Sequence, residues 1–357
     1  MAGCTTNIGE TQFAQGEIIE IGGLFALTGY GAVIGEDERR AVELAIHERN
    51  EQGGIQGRQI RLRVEDTQTT PAEAVSGYRS LRNRGIDIFI GPTWEANTQA
   101  IVPLAAQEEV LLVSPSSYLS VYMKNSPTTF ATYPPYEYEI HALQGYFAEQ
   151  GLDTFAIIYN EEFFGTIMKD LFVQTAQEEG WSITGVHASP EADNDFRTQL
   201  QRVVSTGAQA IYAPLDYPAL DNLARQAMQL GINLPIIALA TAENPREAQQ
   251  HAEVLEGIIY AYPVDTPEHK NFRERFHKMF GEEPTDLSAA AAYDSASMVF
   301  DAMSQGANTP QEIAAYLQGL REYQGASNTI TFTPEGIVRQ KEYRVKTIQN
   351  GTFVAIG

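Results

Sequence analysis

A repeated alternation of β-type and helical sequence patterns limits the possible folds of this chain more than any other feature. Residues 60–64 alternate apolar and charged side chains as a strand does, and residues 36–50 place Ala41, Leu44 and Ala45 at helical spacing. The same pairing of a short apolar run with an amphipathic run recurs along most of the chain. Such units predict a parallel sheet covered by helices on both faces.

Two interruptions divide this alternation. The first is a Thr-Tyr-Pro-Pro run at 132–135, after which the alternation restarts with a helical pattern, and the second is Pro263. From residue 329 onward the patterns are mostly of the β type. A chain of 357 residues with two similar halves predicts an α/β fold of two doubly wound Rossmann-like lobes. Ligand chemistry is then expected at the carboxyl ends of the strands.

The charge balance excludes several classes of partner. The chain carries 24 Lys and Arg against 46 Asp and Glu, a net charge of −22, whereas binding to nucleic acid or to an anionic lipid surface requires basic residues. One cysteine excludes a disulfide framework or a thiolate metal cluster. The histidines show no metal-ligand spacing, so no metal is expected. These histidines are His47, His141, His187, His251, His269 and His277. The main interpretation of the sequence needs no cofactor.

The single cysteine, Cys4, follows Ala2 and Gly3 and precedes a polar stretch at 5–16. Small residues before a cysteine and a polar tether after it resemble the end of a bacterial lipoprotein signal, with Met1 standing where that pattern has leucine. We therefore expect lipidation at Cys4, a tether at 1–16, and a periplasmic or extracellular location at the cell membrane. The alternative interpretation is a polar tail with an incidental thiol.

A glycine pattern after the first predicted strand suggests a dinucleotide site. Gly29, Gly31 and Gly35 follow that strand, and Asp66 stands where a ribose-binding acid would be expected. The spacing is one residue longer than the fingerprint, whose third glycine must allow close helix–strand packing at a fixed position. A Gly-x-Ser-x-Gly elbow and a phosphate-binding loop are both missing from the sequence. A nucleotide-cofactor enzyme stays open as an alternative, but no pattern favours catalysis.

An ordered set of short motifs runs from residue 18 to residue 357. The most specific is Asn-Glu-Gln-Gly-Gly-Ile-Gln-Gly-Arg at 50–58, and others are Leu-Thr-Gly at 27–29, Ile-Gly-Pro at 90–92, Val-Ser-Pro at 113–115, Phe-Gly at 164–165 and Ala-Tyr-Asp at 292–294. In this order they resemble the type I periplasmic binding proteins, specifically the branched-chain amino-acid (Leu/Ile/Val) branch that serves ABC transporters. The first of them matches the N-x-x-G-G-I-x-G-R/K pattern of that family closely.

The resemblance implies two lobes that close on a small ligand and are joined by a three-crossing hinge. The crossings are expected near 132–133, 262–263 and 332–333, where the sequence patterns also break. The predicted N-terminal lobe comprises 17–132 plus 264–332, and the predicted C-terminal lobe comprises 133–263 plus 333–357. In such a fold hinge closure reports ligand binding to a membrane permease.

The resemblance also implies where a ligand is bound. The family's carboxylate-binding serine falls on Glu95 beside Trp94, the next strand-end loop reads Ser116-Ser117-Tyr118, and the family's covering aromatic falls on Phe164. Its tyrosine position falls on Asp216 beside Tyr217, and its ammonium-pairing acid falls near Ala240, next to Thr241. The candidate ligand residues are Tyr30, Trp94, Glu95, Ser114, Ser116, Ser117, Tyr118, Phe164, Asp216, Tyr217 and Thr241.

Two departures from the family pattern bear on the ligand. Glu95 would repel a ligand carboxylate, and Ala240 cannot pair with an ammonium group. Glu95 and Asp216, with nearby aromatic residues, suit a cationic or hydroxyl-rich ligand instead. The alternative interpretation is that Trp94 fills a packing gap and that Glu95 only favours a helix dipole.

The function predicted from these observations is that of an extracytoplasmic solute-binding protein of an ABC importer. It would capture an amino acid or a related amine, amide or hydroxyl-rich compound, without turnover. Its partners would be the small ligand, an ABC permease and, through Cys4, the membrane. A ligand-sensing module that feeds a receptor or regulator is the main alternative.

Overall fold

The computed structural model describes residues 18–116, 126–190, 194–264, 266–339 and 342–356. The chain divides into two compact units. The first unit consists of Met1–Tyr133 and Ser288–Arg339, and the second consists of Pro134–Leu287 and Gln340–Gly357. The chain therefore passes from one unit to the other three times. Among the residues just named as described, no helix is long and apolar enough to span a membrane.

Strands and helices alternate along the chain. Before the first crossing they are β1 (Ile19–Phe25), α1 (Ala32–Glu51), β2 (Ile60–Asp66), α2 (Pro71–Arg82), β3 (Ile88–Ile90), α3 (Glu95–Gln107), β4 (Leu111–Ser114) and β5 (Thr129–Ala131). Between the first and second crossings they are α4 (Glu137–Gln150), β6 (Thr154–Asn160), α5 (Phe163–Glu179), β7 (Ser182–Ser189), α6 (Arg197–Val204), β8 (Ala210–Tyr212), α7 (Ala219–Gln229), β9 (Ile236–Ile237), α8 (Pro245–Gln250), α9 (Ala252–Leu255), β10 (Ile259–Pro263) and α10 (Pro267–Phe280). Next along the chain come α11 (Leu287–Ser304), α12 (Pro310–Gly319), β11 (Tyr323–Gln324), β12 (Thr329–Ile330), β13 (Tyr343–Gln349) and β14 (Thr352–Ala355).

The first unit is built on a five-stranded sheet with the order β2-β1-β3-β4-β5. All its pairings are parallel, with Ile21 opposite Leu62 and Ile88 opposite Leu111. Helix α2 starts at Pro71, where a missing N–H costs nothing, and the Thr70 side chain caps it. The helix packs into a hydrophobic core. Members of this core include Leu24, Tyr78, Leu81, Phe89 and Ile101.

The second unit is built on a seven-stranded sheet with the order β14-β13-β10-β9-β8-β6-β7. The strands from β10 to β7 are parallel, and the C-terminal hairpin β13–β14 adds an antiparallel edge. Phe147, Phe155, Phe172, Trp181 and Tyr212 form an aromatic cluster in this unit, with the Phe172 and Tyr212 rings stacked 3.9 Å apart between centroids. The predicted α/β class with two doubly wound lobes is confirmed.

Some elements lie outside the predicted pattern. Strand β5 has only three residues, which is too few to show a strand period. Helix α3 contains Pro103, and a proline inside a sequence run argues against a helix. The short helices α8 and α9 have 6 and 4 residues. All of these are short or interrupted, which is where pattern-based prediction is weakest.

The observed crossings differ from the predicted ones at two places. Helix α10 belongs to the second unit and not to the predicted N-terminal lobe 17–132 plus 264–332, because Arg246 of α8 binds the main-chain oxygen of Glu283 (2.8 Å) just after α10. Residues 333–339 belong to the first unit and not to the predicted C-terminal lobe 133–263 plus 333–357. The main-chain N–H of Ala131 donates to Gly336 O (2.9 Å), and Val338 N donates to Ala131 O (3.1 Å), which extends the β5 edge.

Candidate ligand-binding site

Polar and aromatic groups of the first unit collect where β1, β3 and β4 end. These strands are neighbours in a parallel sheet, so the loops that begin at Ala26, Gly91 and Pro115 lie at one edge. Gly91 has φ +105°, and a Cβ added there would lie 2.2 Å from the main-chain oxygen of Leu24. Glycine is therefore required for the close approach of the β3 loop to β1.

Asp66, at the end of β2, organises the loop after β1. Its carboxylate accepts the main-chain N–H of Leu27 (2.9 Å), of Thr28 (3.2 Å) and of Gln68 (2.8 Å), and the Thr28 hydroxyl (2.7 Å). Partial burial alone would raise the pKa of Asp66, but these hydrogen bonds outweigh it and the pKa is lowered. Its oxygens are thus engaged in holding the loop, which removes the ribose-binding role that the nucleotide alternative would give them.

Trp94 stands at the same edge in a strained conformation. Its φ of 73° is unusual for a residue other than glycine, and such strain concentrates at functional sites. Its indole Nε1–H is buried and has no hydrogen-bond partner among the described residues. Gly31 makes room for the ring, since a Cβ there would lie 2.0 Å from Nε1. The ring of Tyr30, which is 73% exposed, lies 5.9 Å from the Trp94 ring between centroids.

Ser114 and Ser116 differ in what their hydroxyl groups do. Ser114 is fully buried, donates to Pro92 O (3.0 Å), accepts the N–H of Ser116 (3.2 Å) and lies 3.3 Å from the Thr98 hydroxyl. It therefore ties the β3 and β4 loops together. Ser116 donates to the same Pro92 oxygen (3.3 Å) at the outer end of the β4 loop. The candidates Ser117 and Tyr118 lie outside the described residues, as does Cys4.

Glu95 is the first residue of α3 and is only 9% exposed. A carboxylate in the first turn is favoured by the helix dipole whether or not a ligand is present. Glu38 of α1 is even more buried, at 1% exposed, and its carboxylate accepts the Thr93 hydroxyl at 2.5 Å. Glu38 is therefore a buried, hydrogen-bonded acid in a chain whose net charge is −22. The sequence carries no signal that separates it from the exposed acids around it.

In the second unit, Phe164 lies at the start of α5, after β6. Glu162 caps this helix by accepting the N–H groups of Phe164 (2.7 Å) and Gly165. The Phe164 ring is 8% exposed and packs against Tyr136 at 4.9 Å between centroids. Phe164 thus has a packing partner of its own in this unit.

Asp216, Tyr217 and Thr241 follow the neighbouring strands β8 and β9, so the sheet brings them to one edge. The Tyr217 hydroxyl donates to Ala242 O (3.1 Å). Burial raises the pKa of Asp216, and the Thr241 hydroxyl offsets this only in part. Asp216 Oδ1 and Thr241 Oγ1 are both buried atoms.

Glu139 of α4 is the functional candidate that sequence reasoning misses. It is 5% exposed, and its Oε2 accepts the main-chain N–H of Ala240 at 2.9 Å. Burial raises its pKa to about 8, the Ala240 N–H lowers it in part, and the negative charge of Asp216 raises it further. Glu139 thus brings a carboxyl group to the Ala240 loop, where the family pattern had suggested an acid and the sequence has alanine. No local motif around residue 139 signals this.

The structure therefore assembles two groups of the predicted residues. In the first unit it brings Tyr30, Trp94 and Ser116 to one strand edge, and it gives Ser114 a structural role. In the second unit it brings Asp216, Tyr217 and Thr241 to one strand edge and adds Glu139.

Residues 18–352 match the model of a family described as periplasmic binding proteins. The chain belongs to this family. It is a type I periplasmic binding protein of the branched-chain amino-acid group, as the resemblance had implied. The family is extracytoplasmic, and its members serve as solute-binding proteins of ABC transporters.

Two curated relatives illustrate the similarity. One is the leucine-, isoleucine-, valine-, threonine- and alanine-binding protein of Pseudomonas aeruginosa, 21% identical over 89% of this chain and 87% of that protein. Another is Leu/Ile/Val-binding protein homolog 2 of Brucella abortus, 23% identical over 92% of this chain and 89% of that protein. Both are named as binding proteins.

Solved structures share the fold over nearly the whole chain. The branched-chain amino acid transporter substrate binding protein LivJ of Streptococcus pneumoniae, in complex with isoleucine, has a TM-score of 0.84 at 24% identity and covers 95% of this chain and 99% of its own. A solute binding protein of an ABC transporter from Rhodopseudomonas palustris, in complex with 3,4-dihydroxy benzoic acid, has a TM-score of 0.84 at 19% identity, with coverages of 95% and 96%. The same fold thus accommodates chemically different ligands in these two proteins.

Proposed function

We propose that this chain captures a small polar molecule, an amino acid or a related amine, amide or hydroxyl-rich compound, for an ABC importer. The observation that carries the proposal is Trp94. A strained backbone holds its ring at the strand edge while its buried indole N–H has no partner within the described residues. A buried donor without a partner is costly, and a ligand acceptor would relieve that cost.

The groups around Trp94 support the same proposal. Tyr30 offers an exposed aromatic face, and the Ser116 hydroxyl can still accept a hydrogen bond while donating to Pro92 O. Aromatic faces combined with a few placed polar groups are typical of small-molecule sites. The names of the relatives describe them as amino-acid-binding proteins, so amino acids and their analogues are the first ligands to test.

A thermal-shift screen of the purified protein tests the proposal. The panel comprises amino acids, polyamines, amides, sugars and aromatic carboxylates. A compound at a hundred times its Kd stabilises the native state by about 2.7 kcal/mol, which is easily seen as a higher melting temperature. The proposal fails if no compound stabilises the protein while one of them is chemically converted.

The importer role needs a test in cells. We expect uptake of the stabilising compound to fall when the gene for this protein is deleted and to return when the gene is restored. A Trp94→Ala variant, produced at the same level, should not restore uptake. Normal uptake in the deletion strain would contradict the importer role without contradicting ligand binding.

The lipid anchor at Cys4 is part of the same proposal. It is supported by the small residues Ala2 and Gly3 before the cysteine and the polar stretch 5–16 after it. Acyl labelling of the protein in cells should label Cys4, and Cys4→Ser should remove the label. A labelled Cys4→Ser protein, or an unlabelled parent, would contradict the anchor.

A further inference from the structure

We propose that Glu38 of α1 is a positioning residue for Trp94. Through the hydroxyl group of Thr93, its carboxylate holds the loop between β3 and α3 in the conformation that presents the indole ring. All three residues belong to the first unit. The inference rests on the proposed function for what Trp94 does with a ligand, and it names the group that keeps Trp94 in place.

The first argument is a chain of hydrogen bonds that ends at the residue before Trp94. The Thr93 hydroxyl donates to Glu38 Oε2 at 2.5 Å and accepts the main-chain N–H of Ala26 at 3.1 Å. Glu38 and Thr93 are each 1% exposed, so both hydrogen bonds are shielded from water. One hydroxyl group therefore joins α1 to the loops after β1 and β3.

The second argument is that Trp94 needs such a restraint. Its φ of 73° is a strained conformation, which persists only where the surrounding structure imposes it. From the α3 side, the Asn97 amide donates to Thr93 O (2.9 Å) and the Thr98 hydroxyl donates to Trp94 O (2.9 Å). The hydrogen bond between Thr93 and Glu38 restrains the same loop from α1. The strained residue is thus held in place from two helices.

The third argument is the place of Glu38 on α1. Gly31, just before the helix, makes room for the indole, and Glu38 follows about two turns further along the same face. Between them, Gly35 lets α1 approach the loop after β1, since a Cβ there would lie 2.1 Å from the main-chain oxygen of Ala26. One face of α1 therefore receives the Trp94 ring, packs on the β1 loop and holds the β3 loop.

The presence of an acid at position 38 supports a positioning role. An apolar side chain of similar volume can fill a buried place without the cost of desolvating a carboxylate, so packing alone does not require an acid there. A carboxylate is, however, a strong acceptor for a hydroxyl group. What Glu38 adds beyond packing is therefore the direction in which the Thr93 side chain is held.

The test uses the fluorescence of Trp94 in the full chain, with acrylamide as the quencher. The background is Trp181→Phe, because the chain has two tryptophans and this change leaves Trp94 as the single reporter. Thr93→Val removes the hydroxyl group at nearly constant volume, whereas Thr93→Ser keeps it. Glu38→Leu removes the acceptor, whereas Glu38→Gln keeps an acceptor oxygen. Glu51→Gln, an exposed acid at the end of α1, is the control.

Two further measurements are made on the same proteins. Melting temperatures show whether each variant folds and how much stability it loses. Calorimetric titration with leucine, the first probe suggested by the relatives, measures the effect on binding.

We expect Thr93→Val and Glu38→Leu to raise the acrylamide quenching constant of Trp94 and to shift its emission to longer wavelength in the folded protein. Thr93→Ser, Glu38→Gln and Glu51→Gln should resemble the background protein. Affinity for leucine should fall about tenfold to a hundredfold in the two disruptive variants, because the strain at Trp94 would depopulate the binding conformation of the loop by that factor. If Glu38→Leu does not fold, Thr93→Val tests the same hydrogen bond from its other end.

Two results would overturn the positioning role and leave the proposed function standing. One is a lower melting temperature in Thr93→Val and Glu38→Leu with unchanged quenching of Trp94 and unchanged leucine affinity, which would make Glu38 a purely structural acid. The other is an equal effect of Thr93→Val and Thr93→Ser on quenching, since the hydroxyl group would then not carry it. If no compound of the wider screen binds the parent, the proposed function itself fails, and the quenching constants still decide whether Glu38 holds Trp94.

Discussion

Glu139 should make the stability of the second unit depend strongly on pH. The perturbation is the isosteric change Glu139→Gln, which removes the titrating proton but keeps an oxygen that can accept the Ala240 N–H. In the native protein burial raises the pKa of Glu139 from 4.5 to about 8. An acid with a raised native pKa binds its proton more tightly when folded, so it stabilises the fold most below pH 4.5. That contribution is lost as the pH rises towards 8.

The magnitude follows from the difference between the two pKa values. One pKa unit corresponds to about 1.4 kcal/mol, so the free energy of unfolding should fall by about 3 to 4 kcal/mol between pH 5 and pH 8 on account of Glu139 alone. The raised pKa of Asp216 acts in the same direction. Asp216→Asn should lower the pKa of Glu139, because it removes a negative charge that raises it.

The chain offers a clean probe for this measurement. It has two tryptophans, Trp94 in the first unit and Trp181 in the aromatic core of the second. In a Trp94→Phe background, Trp181 fluorescence during guanidinium unfolding reports the second unit alone. Unfolding curves are recorded from pH 5 to pH 8 with and without Glu139→Gln, and Glu149→Gln serves as the control for a lost surface charge.

Parallel stability–pH curves would refute a raised pKa for Glu139. If the parent and Glu139→Gln lose the same free energy of unfolding between pH 5 and pH 8, Glu139 titrates at an ordinary pKa in the folded protein. We expect instead that Glu139→Gln gains stability relative to the parent as the pH rises, while Glu149→Gln follows the parent.

Three further predictions concern other residues. Trp94→Phe should keep the melting temperature but weaken ligand binding about tenfold, because an aromatic ring stays while the indole N–H is lost. Gly31→Ala should also weaken ligand binding, since its Cβ would displace Nε1 of Trp94. Unchanged ligand affinities in calorimetric titrations of both variants would contradict a ligand role for Trp94. Glu95→Ser should weaken binding of a cationic ligand about tenfold or more. Equal Kd values for the parent and the variant would show that Glu95 only interacts with the dipole of α3. Lys346→Met should lower the free energy of unfolding by about 3 to 5 kcal/mol, because Lys346 lies 2.9 Å from the buried Glu243 carboxylate, which would lose its partner. Adding Glu243→Gln should restore much of that stability. A loss of less than about 1 kcal/mol in Lys346→Met would contradict a buried ion pair.

The sequence determined the fold class, the family and the strand-end loops that carry the candidate residues. Short-range periodicity is enough for this, because helix and strand periods and the motif at 50–58 are local properties. Trp94 and Asp216 could be predicted as candidate ligand residues from the sequence, because each follows a predicted strand and lies at or beside a family ligand position.

Only the tertiary structure decided what individual acids do. Glu38 and Glu139 look like their many exposed counterparts in a chain with a net charge of −22, but one accepts a hydrogen bond from Thr93 and the other from Ala240, 101 residues away. Likewise Arg246 places α10 in the second unit by a contact that no local pattern contains. The pKa and partners of a carboxyl group depend on what the fold packs against it. Local spacing in the chain does not record that neighbourhood.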